Sequence, residues 1–259
     1  LLDVLFIKHN KQQFAYTCYQ DLKTDLVIAR HEIKNNKFFN KKIIFNSEHR
    51  SNNGVHFGCR MIDYKGSILI SLGDRGDRNN SQNSKNYPGT ILKLNYKGIP
   101  DVNVENWKSG IFSIGHRNPQ GLIYLKEFDE VWSHEHGPKG GDEININYLN
   151  SDILPNFGWD ISSYGTDYSG KDPYKKSHIE HGFIEPFKNY TPSIGISEIS
   201  YASNYIDDMD NTMWIYHKPP YNALPNNSVI EVIHTSGGYP MQEALESVGS
   251  WMYYAKGSG

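Results

Sequence analysis

The residues best suited to chemistry lie in two glycine- and histidine-rich stretches, "GHRNPQGL" at 115–122 and "SHEHGPKGGDEIN" at 133–145. Consecutive Gly and Pro residues leave backbone carbonyls available, and Asp142 and Glu143 add carboxylate oxygens. Hard oxygen donors of this kind suit Ca²⁺ better than a transition metal. The second stretch therefore predicts a calcium site, with a solvated acidic turn as the alternative.

Histidines in the second stretch offer a different metal chemistry. On a strand, His134 and His136 would project from the same face, and with Asp142 or Glu143 they could form an imidazole–carboxylate site. Cupins bind metals with such a His pair, followed a few residues later by Glu. This chain has glycines where that Glu would fall, which disfavours the cupin interpretation.

A third candidate is His56, which begins the run "HFGCRM", just ahead of an expected strand. A histidine at such a junction can act as a general base, because its ordinary pKa lies near neutrality and a partner can fix its tautomer. Asp74, at the end of the same hairpin, is the candidate partner. The alternative is a packed or hydrogen-bonded histidine without a catalytic role.

Composition excludes several functions. The 259 residues carry 26 basic and 29 acidic side chains, and a net charge of -3 argues against non-specific nucleic-acid binding. No run approaches the roughly 18 apolar residues of a membrane span.

Motifs for serine hydrolases, nucleotide phosphates and dinucleotides are absent from the sequence. Arg75-Gly76-Asp77 spells an adhesion tripeptide, which a three-residue match does not establish.

The two cysteines, Cys18 and Cys59, could form one disulfide or none. Each lies in an apolar, strand-like run, which favours a small buried free thiol.

The candidate site residues must be positioned by the regular elements of the chain. These elements are short runs rich in Val, Ile, Tyr, Phe and Trp, which are separated by Asn, Gly, Asp and Pro. They predict an all-β chain. Hairpins are expected around the turns at 9–11, 64–66 and 127–129, and loops with glycines and a carboxylate follow in "GDRGD" at 73–77 and "EHGPKGGDE" at 135–143. This repetition favours a β-propeller with long insertions, and a β-sandwich is the alternative. A strand is expected in "SVIEVIHT" and a short helix in "MQEALESVGSWMYYAKGSG".

Taken in order, "LLDVLFI", "HFGCRM", "GSILISLGDRG", "GHRNPQGL", "EHGPKGGDEIN", "NFGWD" and "TPSIG" resemble the soluble quinoprotein glucose/sorbosone dehydrogenases. The resemblance runs from Leu1 to about Trp214, and "GHRNPQGL" followed by "EHGPKGGDEIN" is its most specific part. It implies a six-bladed β-propeller that holds pyrroloquinoline quinone (PQQ) and Ca²⁺. This chain would be an incomplete or divergent version, with residues 1–214 as the propeller region and 215–259 as a divergent segment.

The resemblance also implies roles for individual residues. In the opening motifs, His56 matches the general base that takes the proton from the sugar's anomeric hydroxyl, and Asp74 matches the carboxylate that orients it. Arg117 and Asn118 match residues that contact the quinone, and Arg117 would also stabilise its developing charge.

Further positions match the metal and cofactor residues of the later motif. His136 stands at a PQQ contact, and the carbonyls of Gly137 and Pro138 match the ligands of the active-site Ca²⁺. Asp142 and Glu143 match acidic residues near a second, structural calcium.

The implied activity is oxidation of an aldose at C1 to its lactone, with hydride passing to PQQ and electrons to an external acceptor. The resemblance also implies a periplasmic or secreted location, while the charge and the apolar runs predict no nucleic-acid partner and no membrane span. The chain departs from the family at Thr191, where Trp is frequent, and in the absence of recognisable PQQ-neutralising cations after Trp214, for which Lys218 is a candidate substitute. A non-catalytic, calcium-stabilised propeller of the same family is therefore the alternative function.

Overall fold

A computed structural model describes residues 1–21, 25–126, 128–147, 155–202, 212–215, 229–234 and 252–254. Within these ranges the regular structure consists of sixteen β-strands and two single-turn 3₁₀ helices, which confirms the all-β prediction. The strands form four antiparallel sheets of four strands each. None of the helices in the described ranges is long and apolar enough to cross a membrane.

The chain divides into two compact units. The first comprises Leu1–Pro119 and Asp152–Ile161, and it holds two sheets in which the strands pair in chain order. Its strands are β1 Asp3–His9, β2 Gln12–Gln20, β3 Leu26–Lys34, β4 Lys37–Asn46, β5 Gly58–Tyr64, β6 Ser67–Leu72, β7 Thr90–Asn95 and β8 Ile111–Ile114.

The two sheets of the first unit share one apolar core. Alternate side chains of the strands, among them Ile7, Tyr16, Ile28, Ile70 and Leu92, are buried together. Alternation of this kind is what the period-2 pattern of a strand buries when one sheet packs against another. The core fixes the start of β5 and the end of β6, which adjoin the loops with His56 and Asp74.

A disulfide joins the two sheets of this unit, so the expectation of free thiols was wrong. Cys18 on β2 and Cys59 on β5 are bonded, with their Cα atoms 6.1 Å apart. This separation is usual for a disulfide. Each cysteine does lie in a buried apolar strand, as expected. The packing of the two strands against each other brings the thiols together, and the pattern of one strand alone does not reveal it.

The second unit comprises Gln120–Ser151 and Ser162–Gly259. One sheet pairs in chain order from β9 to β12, and the other has the order β13-β15-β14-β16. The strands are β9 Pro119–Leu125, β10 Glu130–Glu135, β11 Asp142–Asn147, β12 Lys188–Tyr190, β13 Ile196–Ala202, β14 Thr212–Ile215, β15 Val229–His234 and β16 Met252–Tyr254. Trp132, Ile144, Tyr190 and Ile196 are buried in its core.

All three expected hairpins are present, as β1–β2, β5–β6 and β9–β10, and the strand expected in "SVIEVIHT" is β15. Most of the C-terminal stretch in which a short helix is expected lies outside the described residues, and its described part, Met252–Tyr254, forms strand β16 instead. The proposed boundary at residue 214 stays a prediction.

Candidate active site

His56 and Asp74 form a close pair in the first unit. Nδ1 of His56 lies 2.6 Å from Oδ1 of Asp74. A carboxylate only accepts hydrogen bonds, so Nδ1 is the protonated ring nitrogen. Nε2 of His56 makes no hydrogen bond to any residue that the structure describes, and the side chain is 19% exposed. The pair therefore presents a basic nitrogen whose tautomer is fixed by a buried carboxylate.

The carboxylate of Asp74 is fully buried, and both of its oxygens are used. Oδ1 also accepts the backbone N–H of Gly76 at 2.8 Å, and Oδ2 accepts the indole N–H of Trp159 at 2.8 Å. Three donors thus hold one orientation of the carboxylate.

Close backbone packing brings the loops together. A Cβ atom at Gly73 would lie 2.2 Å from the carbonyl oxygen of His56, so only glycine fits there. The N–H of Asp74 donates to the carbonyl of Arg117 at 2.8 Å. "GDRG" and "GHRNP" are therefore joined by their backbones, and the structure brings together all three of the expected catalytic residues.

The Arg117 side chain is largely buried beside an aromatic ring. Its guanidinium carbon lies 5.4 Å from the centre of the Trp159 ring, the same indole that donates to Asp74. Asn118, the next residue, is half-buried. Near this indole, burial raises the pKa of Asp160 above its ordinary value, and the positive charge of Arg78 opposes that rise.

Arg75 is buried in the same group of loops and is 2% exposed. Burial lowers the pKa of its guanidinium, and the negative charge of Asp74 opposes that effect. A buried arginine cannot be presented to another protein, so the Arg75-Gly76-Asp77 tripeptide is not an adhesion site.

In the second unit, the "EHGPKGGDE" loop connects β10 to β11. His134 is fully buried in β10, whereas His136 lies beyond the strand and is half-buried, with Nδ1 3.9 Å from Oδ1 of Asp142. Among the residues that the structure describes, no group of three His, Cys, Asp or Glu side chains could hold a metal ion. The His134–His136 metal site of the cupin type is therefore not formed.

Asp142 holds this loop from within. Its Oδ1 accepts the N–H of Gly137 at 3.2 Å, and its Oδ2 accepts those of Gly195 and Ile196 at 2.8 and 3.3 Å. The carbonyl of Lys139 accepts the N–H of Thr166 at 2.8 Å. Gly137 and Pro138 thus lie in a loop that is fixed from two sides.

Glu143 is buried next to a second carboxyl group. Burial raises the pKa of Glu143 well above its usual value, and the negative charge of Glu135 raises it further. The Nε2 atom of His178 lies 3.5 Å from Oε1 of Glu143. Glu135 and Glu143 occupy paired positions of β10 and β11, and the repulsion between two buried carboxyl groups favours a proton or a cation near them.

Sequence reasoning missed two residues of the first cluster, Trp159 and Arg75. "NFGWD" marked the position of Trp159 without a role, and no local pattern relates it to Asp74, 85 residues earlier. Arg75 appeared only within the tripeptide. Its position beside Asp74 in "GDRG" was the one available signal.

Comparison with known proteins places this geometry in context. A sequence model described as glucose/sorbosone dehydrogenase matches residues 1–216. Aldose sugar dehydrogenase YliI of Escherichia coli (strain K12) is 34% identical over 170 residues, which are 63% of this chain and 45% of that protein. Quinoprotein glucose dehydrogenase B of Acinetobacter calcoaceticus is 35% identical over 92 residues, 34% of this chain and 18% of that protein. The chain thus spans less than half the length of either relative.

The fold also matches a solved structure. The soluble aldose sugar dehydrogenase of Escherichia coli in its apo-form aligns with a TM-score of 0.63 and 28% identity, covering 73% of this chain and 56% of that one. The β-propeller fold class expected from the repeated hairpins is thereby confirmed, and the β-sandwich alternative is wrong.

Proposed function

The chain belongs to the glucose/sorbosone dehydrogenase family, and from that premise we propose that it oxidises an aldose at C1 to the lactone, using PQQ and Ca²⁺ and passing electrons to an external acceptor. The coarser activity, sugar oxidation, is that of the family. The cofactors, the product and the acceptor are the proposal.

The observation that carries the proposal is the pairing of His56 with Asp74. Oxidation of an alcohol carbon by hydride removal requires a base for the hydroxyl proton. Nε2 of His56 is not engaged by any described residue, and Nδ1 is held by a carboxylate whose other donors include Trp159. This arrangement is typical of a general base.

His56 would take the proton of the anomeric hydroxyl at Nε2 while the C1 hydride leaves and the C1–O bond becomes a carbonyl. Asp74 would stabilise the imidazolium that forms. When bound, PQQ supplies the two-electron acceptor for that hydride. The proton and the hydride together account for the two electrons and two hydrogens that an aldose loses in becoming a lactone.

The first unit offers groups that fit a planar, anionic quinone. PQQ is a tricarboxylate, and burying it requires cations. Arg117 presents a guanidinium beside the Trp159 ring, and the adjacent Asn118 adds an amide. We assign both residues to cofactor binding. Lys218, the candidate for a further cation, lies outside the described residues.

The second unit offers groups that fit calcium. We assign the carbonyls of Gly137 and Pro138 to the active-site Ca²⁺ and His136 to the cofactor, because the carbonyls lie in a fixed loop and are hard donors. Glu143 suits the second, structural calcium, since a cation would offset its repulsion with Glu135. Asp142 would support the metal loop through its three N–H contacts.

We further propose a periplasmic or secreted location. The Cys18–Cys59 disulfide is of a kind that persists in oxidising compartments.

Replacing His56 by alanine tests this function. We expect His56→Ala to lower kcat with an aldose by about a hundredfold or more, the scale of a lost general base, with much less change in PQQ affinity. His9→Ala, which removes an exposed histidine of the same unit, is the control and should leave kcat unchanged. An unaltered kcat in His56→Ala would remove His56 from the mechanism.

A further inference from the structure

The segment that carries His56 has no regular structure of its own. Residues 47–57 connect β4 to β5 without forming a strand or helix. His56 adopts a left-handed backbone conformation, with φ of 50°. This conformation is uncommon for a non-glycine residue, and contacts with the surroundings help to hold it. The backbone around His56 therefore needs an anchor beyond the side-chain contact with Asp74.

Arg75 contacts this segment at three alternate residues around His56. Its guanidinium donates to the carbonyl of Asn53 at 2.9 Å and to the carbonyl of Val55. Its guanidinium carbon lies 3.8 Å from the centre of the Phe57 ring. One planar group thus binds two backbone carbonyls on the N-terminal side of His56 and stacks on the aromatic ring that follows it.

The backbone of Arg75 completes the attachment. Its carbonyl accepts hydrogen bonds from the amide of Asn53 at 3.2 Å and from the hydroxyl of Ser51 at 3.4 Å. Arg75 is itself in the left-handed region, with φ of 62°. It also follows Asp74 directly, so neighbouring residues hold the His56 side chain and the His56 backbone.

Arginine is the residue that suits this position. Its rigid fork can bind two carbonyls and stack on a ring at the same time, which the single ammonium of lysine cannot do. A buried guanidinium is costly unless its charge is balanced. Asp74, the preceding residue, supplies the opposite charge.

We propose that Arg75 is a positioning residue, which holds segment 47–57 so that the His56 ring meets Asp74 with Nε2 available for the sugar hydroxyl. The catalytic part of this inference rests on the proposed function of His56. The positioning part concerns only the described residues of the first unit, and it can be tested without cofactor.

The test combines NMR of histidine side chains with kinetics on the full chain. The Nδ1–H proton of His56, in a short bond to a carboxylate, should give a downfield resonance that is absent in His56→Gln. We expect Arg75→Met to broaden or abolish this resonance. It should also lower kcat by about 10- to 100-fold with a smaller change in KM, as small misplacements of a catalytic group do. Arg75→Lys, which keeps the charge and loses the fork, should show most of the same loss.

Arg30→Met is the matched control. Arg30 lies in the same unit, stacks on Phe14 at 5.1 Å and donates to the carbonyl of Tyr96 at 3.3 Å, but it contacts neither His56 nor Asp74. Its replacement should leave the resonance and kcat intact. A retained resonance in folded Arg75→Met or Arg75→Lys would overturn the inference. If the unsubstituted chain does not oxidise sugars, loss of the resonance in Arg75→Met would still support the positioning role, while the missing activity would contradict the proposed function.

Discussion

At the scale of single residues, the orientation of the Asp74 carboxylate decides what His56 can do. One oxygen faces the imidazole and the other faces the indole of Trp159, at 2.6 and 2.8 Å. Both neighbours donate to it, so the site needs an acceptor at each position. An amide in place of the carboxylate has only one acceptor oxygen.

Asp74→Asn should therefore lower kcat by about a hundredfold or more, because its NH₂ group would face a donor and the His56 imidazolium would lose its counter-charge. Steady-state kinetics with an aldose measures the effect, and KM should change much less than kcat. Asp77→Asn is the control, since Asp77 is exposed and an Asn caps the same 3₁₀ turn equally well. Equal rates for the two variants would contradict the role of Asp74.

At this scale the sequence identifies only part of the site. His56, Asp74 and Arg117 each stand in a recognisable motif, and the structure brings these three together. The indole of Trp159 and the guanidinium of Arg75 act through long-range or loop contacts that no spacing predicts. Their partners are set by how the loops pack, which depends on the whole unit.

At the scale of elements, Gly73 sets the distance between the end of β6 and the loop before β5. A Cβ atom there would lie 2.2 Å from the carbonyl oxygen of His56. Backbone atoms cannot move away as the end of a flexible side chain can. The approach of these two segments thus requires glycine.

We expect Gly73→Ala to separate the His56 loop from Asp74 and to lower kcat at least as much as loss of the base. It should also reduce the free energy of unfolding by about 1–3 kcal/mol, the usual cost of overpacking. Gly54→Ala is the matched control, because a Cβ atom at Gly54 meets nothing within 4 Å. Kinetics and urea unfolding compare them, and an active, stable Gly73→Ala would refute the close approach.

The loop between β10 and β11 depends in the same way on Asp142. We expect Asp142→Asn to lower the free energy of unfolding by about 1–3 kcal/mol, because N–H groups that include the buried one of Ile196 lose a charged acceptor. The loss should be equal in chelator and in Ca²⁺, as measured by urea unfolding. Asp172→Asn, at an exposed ion pair, is the control. A loss seen only with Ca²⁺ would instead make Asp142 a direct metal ligand.

Period-2 patterns and turn residues predicted three hairpins correctly, while the β3–β4 hairpin was not foreseen. β4 is the reason, since most of its residues are exposed and its sequence "KFFNKKIIFN" does not alternate. An edge strand that buries little carries little pattern. Apolar alternation predicts a strand only where one face is buried.

At the scale of the whole molecule, the account depends on whether these residues bind a cofactor. The first unit holds the base, its carboxylate and Arg117, and the second holds the loop with Gly137 and Pro138. The chain covers 45% of the aldose sugar dehydrogenase YliI. Binding by this chain is therefore the central claim, and the alternative is a calcium-stabilised propeller without catalysis.

The most direct measurement is a titration of the purified chain with PQQ, with and without Ca²⁺, followed by visible absorbance as an aldose is added. We predict calcium-dependent binding and a spectral change that shows reduction by the sugar. If PQQ does not bind at micromolar concentration in the presence of Ca²⁺, or if bound PQQ is not reduced by any aldose, the proposed dehydrogenase activity of this chain is contradicted.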